Sequence, residues 1–315
     1  MNLWGGVDFG GTNIKLGLVT RQGRVISQTT LLTRQHPDPD TFVQGVASTL
    51  RSLARTQRAH LLAVGVGAPG LIDAERGRIH QLVNVPGGWR GIPLARLMEQ
   101  TLGCPCAVDN DVNVVALGEW SFGAGRGTKH SVYVTLGTGV GGALVINGRL
   151  VRGMIGSAGE IGHTSIALTG PRCACGRRGC LEAFVSTQAI LRRARRAIRE
   201  GASVLRRLVA REGRLTPEVV ARAAAAGDRL ACQIWREVGV SLGRGIANVI
   251  NLLNPERIII GGGVANAWRF FAPSLHATLS VYAFEAPLRA VRVVRAQLND
   301  RAGIIGGACL AWERE

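Results

Sequence analysis

Two short segments of this chain follow one design. Val7-Asp8-Phe9-Gly10-Gly11-Thr12 and Val134-Thr135-Leu136-Gly137-Thr138-Gly139 each run an apolar strand into a glycine-rich turn. An apolar run returns from each turn, at residues 14–19 and 142–146. Such patterning reads as a β-hairpin. Glycines at a strand turn let backbone N–H groups approach a phosphate closely. Thr12 adds a hydroxyl donor, Lys15 places positive charge nearby, and Asp8 at the strand end suits Mg²⁺ held through water. A plain hairpin with a permissive Gly-Gly turn would look the same once. Its echo about one lobe later argues for a phosphate-binding device.

At 315 residues the chain is long enough for about two lobes of roughly 150 residues each. A chain of this size buries roughly three-quarters of its unfolded surface without disulfides. Two lobes that each open on such a hairpin would clamp a nucleotide. The expected fold is therefore α/β, of the actin-like or ribonuclease-H-like two-lobed ATPase kind, with a cleft between the lobes. The expected bounds are residues 1–115 for a small lobe and 116–302 for a large one. A C-terminal helix, about residues 303–315, is expected to pack back onto the small lobe.

Composition limits the alternatives. Hydrophobic residues at 46% and charged residues at 19% exclude a disordered or collagen-like chain. The net charge is 38 − 21 = +17, which raises nucleic acid or a polyanion as partner. Lys15 and Lys129 are the only lysines, so the bias toward arginine looks as much like codon composition as a binding patch. An anionic substrate fits better. Residues 131–148 carry no charged side chain, long enough to raise a membrane span. Their five glycines and central Gly-Thr-Gly favour a soluble hairpin instead. The first ten residues lack a basic leader region. Three of the seven cysteines crowd into Cys173, Cys175 and Cys180, a metal pattern rather than a disulfide framework. Together these features point to the cytoplasm and to no membrane.

Periodicity places further elements. Asp40 is expected to cap a helix over residues 41–58, and residues 61–67 read as a buried strand. Residues 186–201 are helical, with Ile190, Leu191, Ala194, Ala197 and Ile198 as the apolar stripe. The opposite face, Arg192, Arg193, Arg195, Arg196 and Arg199, reads as solvated. Thr216 caps a helix that starts with Pro217, and a helix over residues 229–253 stops at Asn254-Pro255. Residues 257–260 form a strand feeding Gly261-Gly262-Gly263, and residues 304–313 form a last helix.

Two more constellations carry chemistry. His163, Cys173, Cys175 and Cys180 lie within eighteen residues and match a tetrahedral Cys₃His zinc site. Thiolates and imidazole select Zn²⁺, and no coordination position remains open, so the site is structural. Free thiols or a nucleic-acid zinc finger are the alternatives; no recognition helix follows the pattern. Glu160 and Glu182 flank the imidazole and, with it, suit polyol hydroxyls. If the metal takes one ring nitrogen of His163, the other can meet a ligand hydroxyl. The second constellation is Asn110-Asp111 after an apolar strand. Here a carboxylate can act as general base toward a primary hydroxyl, as phosphoryl transfer requires; a helix cap is the rival reading. Upstream, Asn84 in Asn84-Val85-Pro86-Gly87-Gly88-Trp89 offers another amide.

On these residues the chain resembles the ROK family (repressors, open reading frames, kinases), and within it the bacterial glucokinases. Asp8-Phe9-Gly10-Gly11-Thr12-Asn13 with Lys15 is similar to the family's first phosphate motif, and Gly137-Thr138-Gly139 to its second. Gly261-Gly262-Gly263 resembles the motif beside adenosine. Glu160-Ile161-Gly162-His163 followed by the cysteine loop is the most specific mark. The resemblance implies ATP-dependent phosphorylation of a hexose at its 6-hydroxyl, with glucose the first substrate to expect. Asp111 would be the catalytic base. Asn84, Asn110, Glu160, His163 and Glu182 would hold the other hydroxyls, and the two hairpins would grip ATP with Mg²⁺. Zn²⁺ would sit on His163, Cys173, Cys175 and Cys180. A homodimer or homotetramer is the family habit. Repressors of the family carry an extra segment before the first phosphate motif; seven residues precede Asp8 here, so no DNA-binding domain is expected. The open alternatives are another hexose (N-acetylmannosamine, N-acetylglucosamine, fructose or allose), polyphosphate as donor, or a non-catalytic sugar sensor or nucleic-acid-associated protein.

Overall fold

A computed structural model of the protein describes residues 1–83, 85, 87–200 and 204–314. In chain order its elements begin with β1 (Asn2–Phe9), β2 (Asn13–Val19), β3 (Val25–Leu32), α1 (Pro39–Thr56) and β4 (His60–Ala68). Next come β5 (Gly70–Asp73), β6 (Arg78–Leu82), β7 (Arg90–Ile92), α2 (Leu94–Leu102), β8 (Cys106–Asn110) and α3 (Asp111–Phe122). They are followed by β9 (Ser131–Leu136), β10 (Val140–Ile146), β11 (Arg149–Val151), α4 (Glu182–Val185), α5 (Thr187–Glu200) and α6 (Val204–Glu212). The chain ends with α7 (Pro217–Ala225), α8 (Arg229–Leu253), β12 (Arg257–Gly261), α9 (Trp268–Tyr282), α10 (Glu285–Ala290), β13 (Arg292–Arg295) and α11 (Ala302–Trp312).

The repeat seen in the sequence is a repeat of topology. One five-stranded sheet runs β3-β2-β1-β4-β8, and the other runs β11-β10-β9-β12-β13. In the first, β1 pairs antiparallel with β2 and parallel with β4, and β4 pairs parallel with β8. In the second, β12 lies between β9 and β13, parallel to both. The stretch without charges, 131–148, forms strands β9 and β10, and no helix among the described residues is long and apolar enough to cross a membrane.

The chain folds as two compact units. Residues 1–129, 143–159 and 296–315 form the first, and residues 130–142 and 160–295 the second. In the first unit the alternation of strand side chains sorts two cores. Leu3, Val7 and Phe9 of β1 join Phe42, Val46 and Leu50 of α1 and Leu94 and Met98 of α2. Phe9, Phe42 and Trp89 meet with ring centroids 4.4 to 5.5 Å apart. Trp4 and Ala107 point the other way, with Val114 and Leu117 of α3 and the apolar length of α11. By the same alternation Asp8 and Asp109 lie on the α3 and α11 side of the sheet.

The cap of α1 differs from expectation. Asp38, not Asp40, is the N-cap: its Oδ1 accepts from the Thr41 N–H at 2.9 Å. Pro39 decides this, because its fixed φ and missing N–H suit the first helical position and push the cap one residue earlier. The caps at Thr216 and the stop at Asn254, in the left-handed region with φ 42°, follow the sequence reading.

In the second unit α8 packs along α9, with α4, α5 and α7 against it. Ile190, Leu191, Ala194 and Ala197 of α5 are buried as its stripe requires. The arginine face is only partly solvated. Arg192 and Arg193 donate to the Ala183 and Phe184 carbonyls at the end of α4, and Arg193 also pairs with Glu237 at 3.0 Å.

Candidate active site

In the first unit the candidate residues gather at the carboxyl ends of adjacent parallel strands, where open α/β sheets bind ligands. Asp8 ends β1 opposite Gly67 of β4, and Gly67 lies opposite Asp109 of β8. Strands stand about 4.8 Å apart, so Asp8 and the β8 end are separated by about 10 Å. Beyond Asp8 the chain turns. The Gly10 N–H donates to the Asn13 carbonyl at 2.9 Å, leaving Gly11 and Thr12 exposed at the tip. Thr33, fully buried, braces this turn: its hydroxyl donates to the Gly10 carbonyl at 2.7 Å and its N–H to the Thr12 carbonyl at 3.0 Å. Lys15 faces Asp8 across the hairpin and forms an ion pair with Asp300 at 2.7 Å. Burial pushes the Asp8 carboxyl above its usual range; Lys15 pulls it down and Asp300 adds to the rise. A half-buried carboxylate at a strand end, costly to hold charged, is suited to a cation.

Asn110 and Asp111 open α3. The Asn110 side chain is its N-cap, accepting from the Val112 and Asn113 N–H groups at 2.9 and 3.3 Å, while its Nδ2 donates to the Gly70 carbonyl at 3.1 Å. The cap and the amide roles weighed for Asn110 thus share one side chain, which keeps one N–H beyond the Gly70 bond. Asp111, half-buried in the first turn, accepts from the Val112 N–H at 2.9 Å through Oδ1. Under this junction lies Asp109, 2% exposed. It accepts from the Asn110 N–H at 2.7 Å, the Asn113 amide at 3.0 Å and Arg152 Nε at 2.7 Å. The sequence reading missed both Asp109 and Arg152. Asp109 directly precedes the Asn110-Asp111 pair, but Arg152 is 43 positions away and carries no local signal. Asn84 lies outside the described residues.

In the second unit Gly137-Thr138-Gly139 makes the turn after β9, closed by the Gly137 N–H on the Gly139 carbonyl at 2.9 Å. Thr138 is exposed at its tip. At the same end, Gly261 closes β12 opposite Thr135 of β9, and exposed Gly262 and Gly263 follow.

The cysteine loop closes into a cage. Nδ1 of His163 and Sγ of Cys173 are 3.7 Å apart, Sγ of Cys175 and Cys180 are also 3.7 Å apart, and all four ligand atoms lie within 4.8 Å of one another. Two thiolates each about 2.3 Å from a tetrahedral Zn²⁺ stand about 3.8 Å apart, so the donor set fits that ion. The Cys173–Cys175 turn is tied by the Cys173 N–H on the Arg177 carbonyl at 2.8 Å, and Gly176 follows at φ 89°, where a side chain would be strained. The backbone N–H of Arg177 lowers the Cys175 thiol to about 7, while burial raises Cys173 to about 12. An exposed thiol ionised near neutral pH offers a metal its first ligand. The far nitrogen of His163, Nε2, faces the exposed Glu160 carboxylate at 3.9 Å.

Glu182 faces both the second glycine turn and the cysteine cage. Its Oε2 accepts from the Val140 N–H at 3.0 Å, and its Oε1 lies 3.4 Å from Cys173 Sγ. A Cβ on Gly139 would come within 2.6 Å of that Oε2, so the approach needs glycine there.

The duplicated sheet with glycine turns at the strand ends is the actin-like ATPase fold. The profile of the ROK family matches residues 4–314, and the chain belongs to that family. It is 38% identical over 315 residues to a glucokinase of Halalkalibacterium halodurans, covering 98% of this chain and 95% of the relative. A ROK family glucokinase from Streptomyces griseus, solved with glucose and AMPPNP, superposes with TM-score 0.82 at 32% identity over 99% of both chains. A ROK family transcriptional regulator, a homologue of the Escherichia coli MLC protein, superposes with TM-score 0.87 at 28% identity. It covers 98% of this chain and 77% of its own.

Proposed function

We propose that this protein is an ATP-dependent hexose kinase that phosphorylates glucose at its 6-hydroxyl. The observation that carries the reading is the presence in one chain of the β8–α3 junction, with Asp111 in the first helical turn, and of the His163–cysteine cage, in a chain 38% identical to a glucokinase along its length. Asp111 would accept the hydroxyl proton while the oxygen attacks the terminal phosphorus of ATP. Asn84, Asn110, Glu160, His163 and Glu182 would hold the remaining sugar hydroxyls.

Gly10, Gly11, Thr12 and Asn13, with Lys15, and Gly137, Thr138 and Gly139 would present backbone N–H groups, hydroxyls and charge to the phosphates. Gly261, Gly262 and Gly263 would lie beside adenosine, and Asp8 would hold Mg²⁺ through water. Bound Mg²⁺ supplies charge neutralisation on the phosphates, and Zn²⁺ on His163, Cys173, Cys175 and Cys180 supplies rigidity. His163 would meet the metal through Nδ1 and the sugar through Nε2. Catalysis is then mostly positioning.

The unpaired state of all seven cysteines fits a reducing, cytoplasmic setting. A homo-oligomer is part of the same reading. Its support is the exposed apolar group Leu252, Val281, Tyr282 and Phe284, drawn together where Asn251 bonds the Tyr282 carbonyl and the Phe284 N–H. The rival reading, a sugar sensor without turnover, has the similar transcriptional regulator in its favour.

Kinetics on a panel of hexoses, with ATP and polyphosphate as donors, test the proposal. Glucose with ATP should give the highest kcat/KM. Tight glucose binding with no phosphorylation of any hexose would establish the sensor instead.

A further inference from the structure

The segment that leaves the cysteine cage is also the segment that holds the second glycine turn. Cys180 is followed by α4, whose first turn is pinned to the cage. The Leu181 N–H donates to the Thr164 carbonyl at 3.0 Å, and the Ala183 N–H to the Cys180 carbonyl at 3.0 Å. Two residues past Cys180, the Glu182 carboxylate takes the Val140 N–H at one end of the turn. Seven residues past it, the Thr187 N–H donates to the Gly137 carbonyl at 2.8 Å, at the other end. The short helix between these two holds is itself fixed. Its last carbonyls receive Arg192 and Arg193, which otherwise would lack a partner inside the helix. Arg193 is anchored in turn on Glu237 of α8. A turn of glycines has little rigidity of its own. Here its geometry is set from outside, by a stretch whose start is a metal ligand.

We propose that residues 180–187 couple the cage to the nucleotide, so that zinc on His163, Cys173, Cys175 and Cys180 sets the affinity of the Gly137–Gly139 turn for ATP phosphates. Glu182 and Thr187 are positioning residues in this scheme: they act on the phosphate through the turn they hold. The inference rests on the kinase reading above and extends it, because zinc is there assigned only to the sugar side. Coupling between two ligands is reciprocal, so nucleotide must tighten zinc by the same factor that zinc tightens nucleotide.

Thr187→Pro isolates the effect. Thr187 opens α5, a position where proline is tolerated and only the N–H is lost. The preceding Ser186 already has φ −67° and ψ 162°, the extended backbone that a following proline demands. The full-length protein is loaded with zinc, or stripped with a chelator and checked for retained circular dichroism. The dissociation constant of AMPPNP with Mg²⁺ is then measured calorimetrically for the native chain, Thr187→Pro and Glu182→Gln. Stripping should weaken AMPPNP by about tenfold in the native chain, within the usual range of coupling between sites. Each variant should bind it several-fold more weakly while holding zinc, and should respond little to stripping, since the link is already cut. In the loaded native chain, AMPPNP should lower the zinc dissociation constant, read by equilibrium competition with a chelating dye, by the same factor.

Equal AMPPNP affinity with and without zinc in the native chain overturns the coupling. So does zinc-loaded Thr187→Pro that binds AMPPNP like the native chain, a result that stands even if the stripped protein unfolds. A native chain that binds no zinc, or no AMPPNP, overturns the kinase or metal assignment beneath the coupling, and metal analysis separates these outcomes from failure of the link alone.

Discussion

The two glycine turns sit at equivalent places in two sheets of the same strand order, yet they are held by different means. The Gly10–Asn13 turn is braced by Thr33, just after the neighbouring strand of its own sheet. The Gly137–Gly139 turn is braced by Glu182, which opens a short helix beside the cysteine cage, and by Thr187 beyond the end of that helix. The first turn comes with a half-buried acid, Asp8; no acid occupies the matching position, Thr135, before the second. The two copies of one strand–turn–strand unit thus share a topology and differ in their surroundings: one carries an acid before its turn, the other a short helix against it. A fold can repeat its topology while the energetics of its copies part ways.

This contrast can be broken most forcefully at the cage. Cys175→Ser should lower zinc content and weaken nucleotide and sugar together, each by about tenfold. Amide exchange should speed at Val140 and Thr187 and stay unchanged at Thr33. Faster exchange at Thr33 would show that the two supports are not separate. At the β8–α3 junction, Arg152→Ala leaves the Asp109 carboxylate without its charged partner. Denaturant unfolding should show a loss of about 1–3 kcal/mol, with zinc content unaffected. Thr33→Val removes the hydroxyl from the Gly10 carbonyl and should cost about 1 kcal/mol. Its effect on AMPPNP binding should be the same with and without zinc.

The smallest effect concerns pH. Because burial raises the Asp8 carboxyl in the folded protein, ionised Asp8 opposes folding above its unfolded value, and the penalty disappears as the pH falls below that value. Asp8→Asn should therefore stabilise the protein slightly at pH 7 and leave it unchanged at pH 3, while reducing Mg²⁺-dependent nucleotide binding. A loss of stability at pH 7 would contradict the sign.

How much of this was written in the sequence depends on the range of each interaction. The hairpin at Asp8-Phe9-Gly10-Gly11-Thr12 and the cage at His163, Cys173, Cys175 and Cys180 are local, and residue type with spacing defines them. The cap of α1 was expected at Asp40 and lies at Asp38, although Pro39 marks the first helical position in the sequence just as Pro217 does after Thr216. Arg152 on Asp109 joins residues far apart in the chain, and no pattern in either neighbourhood signals the pair. Glu182 was legible as a polar residue beside the cage. That one oxygen turns toward the Val140 N–H depends on how α4 packs on α8, which is a tertiary fact. Thr187 acts through its backbone N–H, a group every residue but proline has, so its identity could not point to the role.

In the proposed reaction the carboxylate at position 111 takes a proton from a sugar alcohol. Paired glucose-binding calorimetry and coupled-assay turnover on Asp111→Ala, with ATP as donor, test that most directly. The predicted result is glucose affinity close to that of the native chain with kcat lower by about 10²–10⁴-fold. Turnover within a few-fold of native, glucose still bound, would contradict it.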